Sequence, residues 1–316
     1  MVSIIIPYHN EGEDFIKETI GGIKKTCDVS PFEVIIVDDG SDTPLNLERE
    51  DDIHVVRHDR NYGVGRAFDT GVGLATYDTL ILMGADIRFL DNGWAGKMAR
   101  EAENHPKAIT CGTCVGLNTK VYGAMNMEKR RLTNRRTGAT ILMFHDTKSN
   151  PKKPETFRSI LDAKWLPLIE AEESVEIPCV LGACYSMKKE WYNYIDGWRG
   201  HRIWGTLEPM ISLKSWLFGG SCRVAPQIET GHIFGRGGHY IRQEDILFNK
   251  MFCATTLIED YQRFIVFLGD NGDVRKAKTE LAKMFEEVLE IRKEYKDKKV
   301  MTVREYCDKF KIDYRL

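Results

Sequence analysis

This chain of 316 residues is 42% hydrophobic and 29% charged, and its formal net charge is −2. The composition excludes a disordered or fibrous protein, and the charge argues against a uniformly basic nucleic-acid-binding protein. The longest apolar runs, such as Leu80 to Met83, are far shorter than the roughly 20 residues of a membrane-spanning helix. Eight cysteines are scattered through a chain that is large enough to fold without disulfides, which favours reduced thiols. We therefore expect a soluble cytoplasmic protein with no membrane partner.

Apolar runs alternate with amphipathic stretches through the first hundred residues. In chain order, the segments are Val2 to Pro7, Asp14 to Lys25, Phe32 to Val37, Val55-Val56, Gly65 to Leu74 and Thr79 to Met83. Short β-rich runs separated by helical periods predict βαβ units and a Rossmann-like, mostly parallel α/β sheet with helices on both faces. In such sheets ligands bind beyond the carboxyl ends of the strands. The polar residues at those ends are therefore the candidates for a site.

The pattern is less regular from about Thr110 onwards. Strands are predicted at Val175 to Met187 and at Cys222 to Ala225, with a helix at Leu207 to Phe218 between them. The tail from Asp273 to Lys299 has apolar residues at helical spacing among lysines and glutamates. We expect this helical tail to pack on the main body or on a second subunit.

A basic segment lies in the middle of the chain. Between Glu128 and Arg158 there are nine lysines or arginines and three acids. Such a segment is typical of a solvated loop, and it is also what a surface that follows a phosphate backbone needs. The sequence leaves both interpretations open.

Polar clusters follow the first two predicted strands, at His9-Asn10-Glu11 and at Asp38 to Asp42. Either cluster alone could be turn chemistry, but two clusters at neighbouring strand ends form a crevice that can hold a base and a ribose. The sequence has no GxxxxGK[ST] motif and no GxGxxG after a strand, so the phosphates of a nucleotide need another partner. Asp86 and His232 each follow a strand-like run and could together hold Mn²⁺ or Mg²⁺ for that purpose. A structural or capping role for His232 stays open.

Several segments together resemble a known family. The order "VSIIIPYHNEGEDFIKETI", "EVIIVDDGSD", "NYGVGRAFDTG" and "TLILMGADIRF" resembles the nucleotide-sugar half of family 2 glycosyltransferases of the GT-A fold. The later stretch from "IPCVLGACYSM" to "ETGHIFGR" is similar to the catalytic domain of polypeptide N-acetylgalactosaminyltransferases. We expect a GT-A domain at 1–265 and a helical C-terminal extension at 266–316. The domain would comprise a nucleotide-sugar half, 1–110, and a metal and acceptor half, 111–265, with a basic insertion at 126–158.

The resemblance also implies roles for individual residues. It implies a UDP-sugar donor and a metal ion, Mn²⁺ or Mg²⁺. The residues implied at the donor are Pro7, Tyr8, His9, Glu11, Asp39, Asn61, Gly63, Arg66 and Asp86, and those at the metal are Asp86 and His232. Trp204 would flank the sugar and diphosphate, and Arg236 would begin a flexible lid at 236–240. A surface charge for Arg66 and a core aromatic for Trp204 remain alternatives.

Two positions depart from the family's pattern. In relatives the metal-binding strand ends in an acid, a spacer and a second acid or histidine, whereas here Gly84 takes the first position and Asp86 the second. We expect this loss to weaken donor binding more than chemistry, and to leave room for a different donor sugar. After Trp-Gly, the relatives' Gly-Gly-Glu-Asn is replaced by "TLEP". Glu208 falls at the slot of the general base in many inverting relatives, but it could also be a first-turn helix carboxylate.

These residues predict a metal-dependent glycosyltransferase that transfers a sugar to an acceptor hydroxyl on a protein or glycan, with Glu208, Trp204 and Arg236 as catalytic residues. Whether the reaction retains or inverts the sugar's configuration stays open. An alternative acceptor is a hydroxymethylated base of viral DNA, bound through residues 129–158. An alternative of another class is a non-catalytic nucleotide-binding or scaffold protein that forms a homo-oligomer through its helical tail.

Overall fold

The structure is a computed structural model, and it describes residues 1–48, 50–90, 92–117, 132–143, 145–147, 157–234 and 242–314. The strands are β1 (Val2–Tyr8), β2 (Phe32–Asp38), β3 (Ile53–Arg57), β4 (Thr79–Met83), β5 (Ile87–Phe89), β6 (Ala108–Leu117), β7 (Leu132–Thr137), β8 (Ala139–Leu142), β9 (His145–Thr147), β10 (Phe157–Ser159), β11 (Asp162–Trp165), β12 (Val175–Glu176), β13 (Cys184–Lys188) and β14 (Ser221–His232). The helices are α1 (Glu13–Thr26), α2 (Val64–Leu74), α3 (Trp94–Asn104), α4 (Lys189–Tyr194), α5 (Leu207–Leu217), α6 (Gln243–Leu257), α7 (Tyr261–Phe267), α8 (Gly272–Lys283), α9 (Phe285–Lys298) and α10 (Val303–Phe310).

A mixed sheet forms the centre of the molecule. Its main strand order is β12-β14-β6-β13-β4-β1-β2-β3, with β5 paired to β14 and β7 paired to β6. Strands β4, β1, β2 and β3 are mutually parallel, and β13 joins them to the rest through antiparallel pairing with β4 and β6. The predicted α/β architecture is confirmed, and the carboxyl ends of the parallel strands lie along one edge of the sheet.

Both faces of the sheet are covered by helices, because successive side chains of a strand point to opposite faces. Ile5 of β1 packs into a core with Phe68 of α2, whereas Ile4 packs into a core with Phe15 of α1 and Trp94 of α3. All of these side chains are buried. This arrangement explains why β1 is a continuous apolar run without alternation.

Beyond the first hundred residues the structure contains a strand that the sequence analysis did not predict. Strand β6 is buried along its whole length and pairs with β13, β14 and β7. Its glycines and cysteines weaken the β-strand signal, but Gly112 is needed because a Cβ atom there would lie 2.4 Å from the Ile228 carbonyl oxygen. That close approach occurs beside an irregularity in the pairing of β14 between Ala225 and Glu229, beyond which β14 continues to His232.

The predicted helical tail is two helices, α8 and α9, with a break at Met284. Both helices pack against α6, and Val288, Ile291 and Tyr295 of α9 are buried. The tail therefore lies on the main body, and the predicted contact with a second subunit stays a prediction. Within the described ranges, each helix is too short or too polar to cross a bilayer.

Candidate active site

A cleft of about 500 Å³ opens at the carboxyl ends of β1, β2 and β4. The predicted site residues that line it are Pro7, Tyr8, His9, Glu11, Asp39, Asn61, Gly63, Asp86, Trp204, Glu208 and His232. Arg66 is exposed in the first turn of α2 and is not among the lining residues. Arg236 and the predicted lid at 236–240 lie outside the described residues. The fold thus brings together side chains that are more than 200 positions apart in the sequence.

The two predicted metal ligands meet at the junction of β4, β5 and β14. Strand β5 pairs with the end of β14, and the Ile233 N–H donates to the Asp86 carbonyl oxygen at 3.1 Å. This pairing places Nε2 of His232 3.0 Å from Oδ2 of Asp86. Burial by itself lowers the pKa of His232, but the hydrogen bond and negative charge of Asp86 outweigh it and raise the pKa to about 10.

The donor atoms of this pair fit a divalent metal ion. A carboxylate oxygen and an imidazole nitrogen suit Mn²⁺, and a separation of 3.0 Å matches two adjacent positions of an octahedron with bonds of about 2.1 Å. Among the described residues, no group of three or more His, Cys, Asp or Glu side chains could hold a metal. Phosphate oxygens and water are the other ligands that such an ion commonly takes.

A buried arginine holds the backbone around Asp86. The Arg88 guanidinium donates to the carbonyl oxygens of Ala85 at 3.0 Å and Ile87 at 2.8 Å, the residues on either side of Asp86. It also forms an ion pair of 3.2 Å with Glu18, which offsets the cost of burying its charge. Thr19 donates a second hydrogen bond to the Ala85 carbonyl oxygen at 2.5 Å. These contacts restrict where the Asp86 carboxylate can lie.

Asp39 organises the loop that precedes α2. Its carboxylate accepts hydrogen bonds from the N–H groups of Tyr62 at 3.0 Å and Gly63 at 2.7 Å, and from His58 Nδ1 at 2.6 Å. In the same loop, the Asn61 side-chain oxygen is buried and has no hydrogen-bond partner in the described part of the protein. Because Asn61 also lines the cleft, its amide is available to a ligand.

The residues after β1 form a compact turn beside Asp39. Nδ1–H of His9 donates to the Asp39 carbonyl oxygen at 2.9 Å, and the His9 backbone N–H donates to the Glu11 carboxylate at 2.5 Å. Burial raises the pKa of Glu11 to about 7, and the charge of Asp86 adds to this effect, although hydrogen bonds from backbone N–H groups oppose it. This side of the cleft, where the sequence predicts the nucleotide-sugar donor and which we call the donor side, therefore contains several carboxylates that a cation would stabilise.

The opposite wall is the Trp204 loop, which we define as residues 201–206. The Trp204 side chain is 47% exposed and lines the cleft. Asn249 of α6 is fully buried and holds this loop through both ends of its amide. Its oxygen accepts from the Arg202 N–H at 2.8 Å, and its nitrogen lies 2.7–3.1 Å from the carbonyl oxygens of Arg202, Trp204 and Gly205. One side chain thus fixes the backbone on both sides of Trp204.

Arg202 ties the Trp204 loop to the helices behind it. Its guanidinium lies 3.7 Å from the ring centroid of Phe248 on α6, and it bonds Glu280 of α8 at 3.4 Å. On the other side, Gly63 bridges to Ile203, where a Cβ on residue 63 would come within 2.2 Å of the Ile203 nitrogen. Only glycine fits there, so the donor-side loop and the Trp204 loop are in direct backbone contact.

Glu208 lies in the first turn of α5 at the base of the cleft. The Tyr185 hydroxyl donates to its Oε1 at 2.9 Å. Burial raises the pKa of Glu208, while its own backbone N–H, the Tyr185 hydroxyl and the charge of His232 lower it. The position suits either a carboxylate that acts on an acceptor or a first-turn helix carboxylate.

Arg88, Tyr185 and Asn249 were not recognised in the sequence. Asn249 could have been noticed, because it is a polar residue in a stretch of α6 that is otherwise largely apolar and buried. A buried amide must be hydrogen-bonded. Arg88 and Tyr185 gave no comparable signal, because each lies within a short, buried strand, β5 and β13, where one polar group among apolar residues forms no pattern.

Comparisons with known proteins identify the family. The model of "Glycosyl transferase family 2" matches residues 3–164. Polypeptide N-acetylgalactosaminyltransferase 8 of Drosophila melanogaster is 25% identical over 76% of this chain and 39% of its own length, and polypeptide N-acetylgalactosaminyltransferase 5 of Caenorhabditis elegans is 22% identical over 87% and 45%. This chain thus spans less than half the length of either relative.

A solved structure shows the same fold. The crystal structure of GalNAc-T7 with UDP, GalNAc and Mn²⁺ matches with a TM-score of 0.64 and 18% identity, over 91% of this chain and 56% of that one. The family match covers half of the chain and the fold match covers most of it. The chain therefore belongs to glycosyl transferase family 2 and has the GT-A fold, as its sequence motifs predicted.

Proposed function

We propose that this protein is a metal-dependent glycosyltransferase that takes its sugar from a nucleotide donor, with UDP as the nucleotide. The observation that carries the proposal is the Asp86–His232 pair, which lies in the same cleft as the residues implied at a nucleotide. The crystal structure of GalNAc-T7, which shares the fold, is a structure with UDP, GalNAc and Mn²⁺.

The donor side of the cleft would bind the nucleoside. The turn from Pro7 to Glu11 forms the wall against which a uracil would lie, and Asn61 offers an unpartnered amide oxygen to it or to the ribose. Asp39 would act mainly through the loop that its carboxylate holds. Phosphate contacts by Arg66 stay a prediction, because that residue is exposed outside the cleft lining.

Asp86 and His232 would hold Mn²⁺ or Mg²⁺. When bound, such an ion neutralises the negative charge that develops on a departing diphosphate. Arg88 keeps the Asp86 backbone in place for this purpose. Trp204 would cover the sugar from the opposite wall and exclude water, so that transfer is favoured over hydrolysis.

The acceptor would be a hydroxyl group of a protein or glycan, with Glu208 oriented toward it as a base or as a positioning group. The structure describes the side chains of two arginines of the basic segment, Arg135 and Arg136, and both are engaged within the chain. Arg135 pairs with Glu229, and Arg136 lies 5.4 Å from the ring centroid of Trp165. These contacts do not favour a DNA acceptor, which stays a prediction, as do a cytoplasmic location and a homo-oligomer.

The test is UDP release from a panel of UDP-sugars, with and without Mn²⁺, by the wild type and by Asp86→Ala. We expect Mn²⁺-dependent release that falls about 100-fold or more in Asp86→Ala, because one of the two metal ligands is lost. Asp273→Ala, which changes a half-buried acid of α8 that does not line the cleft, is the matched control and should behave as the wild type. UDP binding that needs no metal, with no turnover of any sugar, would instead support a non-catalytic nucleotide-binding protein.

A further inference from the structure

A buried tyrosine hydroxyl lies directly against the carboxylate of Glu208. Tyr185 is only 1% exposed, and its side chain packs in the core and also lines the cleft. The hydroxyl accepts from the Ala183 N–H at 3.0 Å and donates to Glu208 Oε1 at 2.9 Å. Because an N–H group can only donate and an ionised carboxylate can only accept, the hydroxyl proton is committed to Glu208.

The backbone beside this hydroxyl is held in an unfavourable conformation. Ala183 has a φ of 58°, which is in the left-handed region that favours glycine. In that conformation the Ala183 N–H donates to the Tyr185 hydroxyl, which lies at the cleft. The strained backbone is therefore part of a hydrogen bond beside the site. A phenylalanine would fill the same core space without a buried polar group, hence packing alone does not account for the hydroxyl.

We propose that Tyr185 is a positioning residue, which holds the Glu208 carboxylate in one orientation toward the acceptor side of the cleft. The inference rests on the proposed function, because Glu208 must take part in the reaction for its orientation to matter. A hydrogen bond to a charged group is among the stronger contacts of a side chain, and losing it frees the carboxylate to rotate.

The test is Tyr185→Phe, which removes one oxygen atom and keeps the ring in the core. The reaction is UDP release from UDP-GalNAc or UDP-GlcNAc at saturating Mn²⁺, with water as acceptor. We expect kcat to fall about tenfold while KM for the UDP-sugar changes less than about twofold, because the contact is remote from the nucleotide. In a Glu208→Gln background the same substitution should change kcat less than about twofold, since Tyr185 acts through Glu208.

Tyr192→Phe is the matched control. Tyr192 is also buried, and its hydroxyl donates to a carboxylate, Asp69, at 2.5 Å, but neither residue lines the cleft. This variant should lose a similar amount of thermal stability and keep kcat within about twofold of the wild type. Titration of UDP into each variant verifies that the donor side is folded.

The outcomes separate the positioning role from the proposed function. If the wild type turns over and Tyr185→Phe does not lower kcat, or lowers it equally in the Glu208→Gln background, the positioning role is wrong. It is also wrong if Glu208→Gln itself leaves kcat unchanged. A wild type with no metal-dependent UDP release overturns the proposed function and this inference together.

Discussion

The two walls of the cleft are built in different ways. On the donor side, Tyr8 ends β1, while Asp39 and Asp86 follow β2 and β4, and the pairing of these adjacent strands brings their carboxyl ends together. On the opposite side, the Trp204 loop lies outside the named strands, and apart from its backbone contact with Gly63 it is held by side chains of α6 and α8. A wall built on a sheet tolerates the loss of one contact, whereas a wall held by a few side chains depends on each of them.

The backbone conformation of the Trp204 loop adds to this dependence. Ile203 and Thr206 have φ values of 43° and 62°, which non-glycine residues adopt only when other contacts enforce them. The hydrogen bonds of Asn249 supply that enforcement. We therefore expect substitutions at this wall to have larger effects than comparable ones on the donor side.

Apart from Asp86→Ala, which removes a predicted metal ligand, the largest effect is expected from Asn249→Ala. The substitution leaves one N–H and three carbonyl groups of the Trp204 loop without their buried partner, which we expect to cost about 3 kcal/mol of unfolding free energy. Displacement of Trp204 should lower kcat/KM about 10- to 100-fold. Urea denaturation and UDP-release assays measure the two effects.

Asn271→Ala is the control for that substitution. Asn271 caps α8 through a bond from the Val274 N–H, so its loss should cost about 1 kcal/mol without touching the cleft. Equal activity losses in the two variants would show that general destabilisation, and not the Trp204 loop, is responsible.

A smaller effect is expected on the donor side from Gly84→Ala. A Cβ atom at this position would lie 2.5 Å from Asp86 Oδ1, so the carboxylate must swing away from its present place. Because the end of a flexible side chain can yield, we expect only about tenfold weaker activation by Mn²⁺, with little change in stability. Gly73→Ala, in a helix with open space around it, should leave Mn²⁺ activation unchanged. If Gly84→Ala matched Asn249→Ala in lost activity, the contrast between the walls would fail.

The smallest effects concern pH, where the two walls should respond in opposite directions. Burial lowers the pKa of His201 in the Trp204 loop to about 4, from an ordinary value of 6.5. As the pH falls from 6.5 toward 4, only the unfolded chain takes up this proton, so stability is lost with acid. The pKa of Glu11 is raised from 4.5 to about 7, so between these values only the folded chain holds the proton, and stability is lost as the pH rises.

The measurement is the melting temperature against pH in metal-free buffer for the wild type, His201→Gln and Glu11→Gln. We expect His201→Gln to flatten the decline between pH 6.5 and 4, and Glu11→Gln to raise the melting temperature at pH 8 by on the order of a few degrees. The same slope in all three proteins would contradict the assignment of these two groups.

The helical tail shows what apolar periodicity can predict and what it cannot. Apolar spacing predicted a helical tail from Asp273 to Lys299, and the structure divides it into two helices, α8 and α9, at Met284. The break cannot be read from spacing, because it depends on where α8 and α9 each meet α6. Strand β6 was not predicted because its small residues give a weak strand signal. They are needed for close contacts between strands, which exist only in the assembled sheet.

By itself, the sequence determined the succession of strands and helices from Val2 to Met83, the polar residues at the carboxyl ends of those strands, and the family. This was possible because a strand signal is local, and the carboxyl ends of parallel strands must share one edge of the sheet. Only the tertiary structure decided that His232 meets Asp86, that Asn249 holds the Trp204 loop and that Tyr185 bonds Glu208. Each of these contacts joins residues 23 to 146 positions apart, and no local pattern records which distant side chains the packing of the core will bring together.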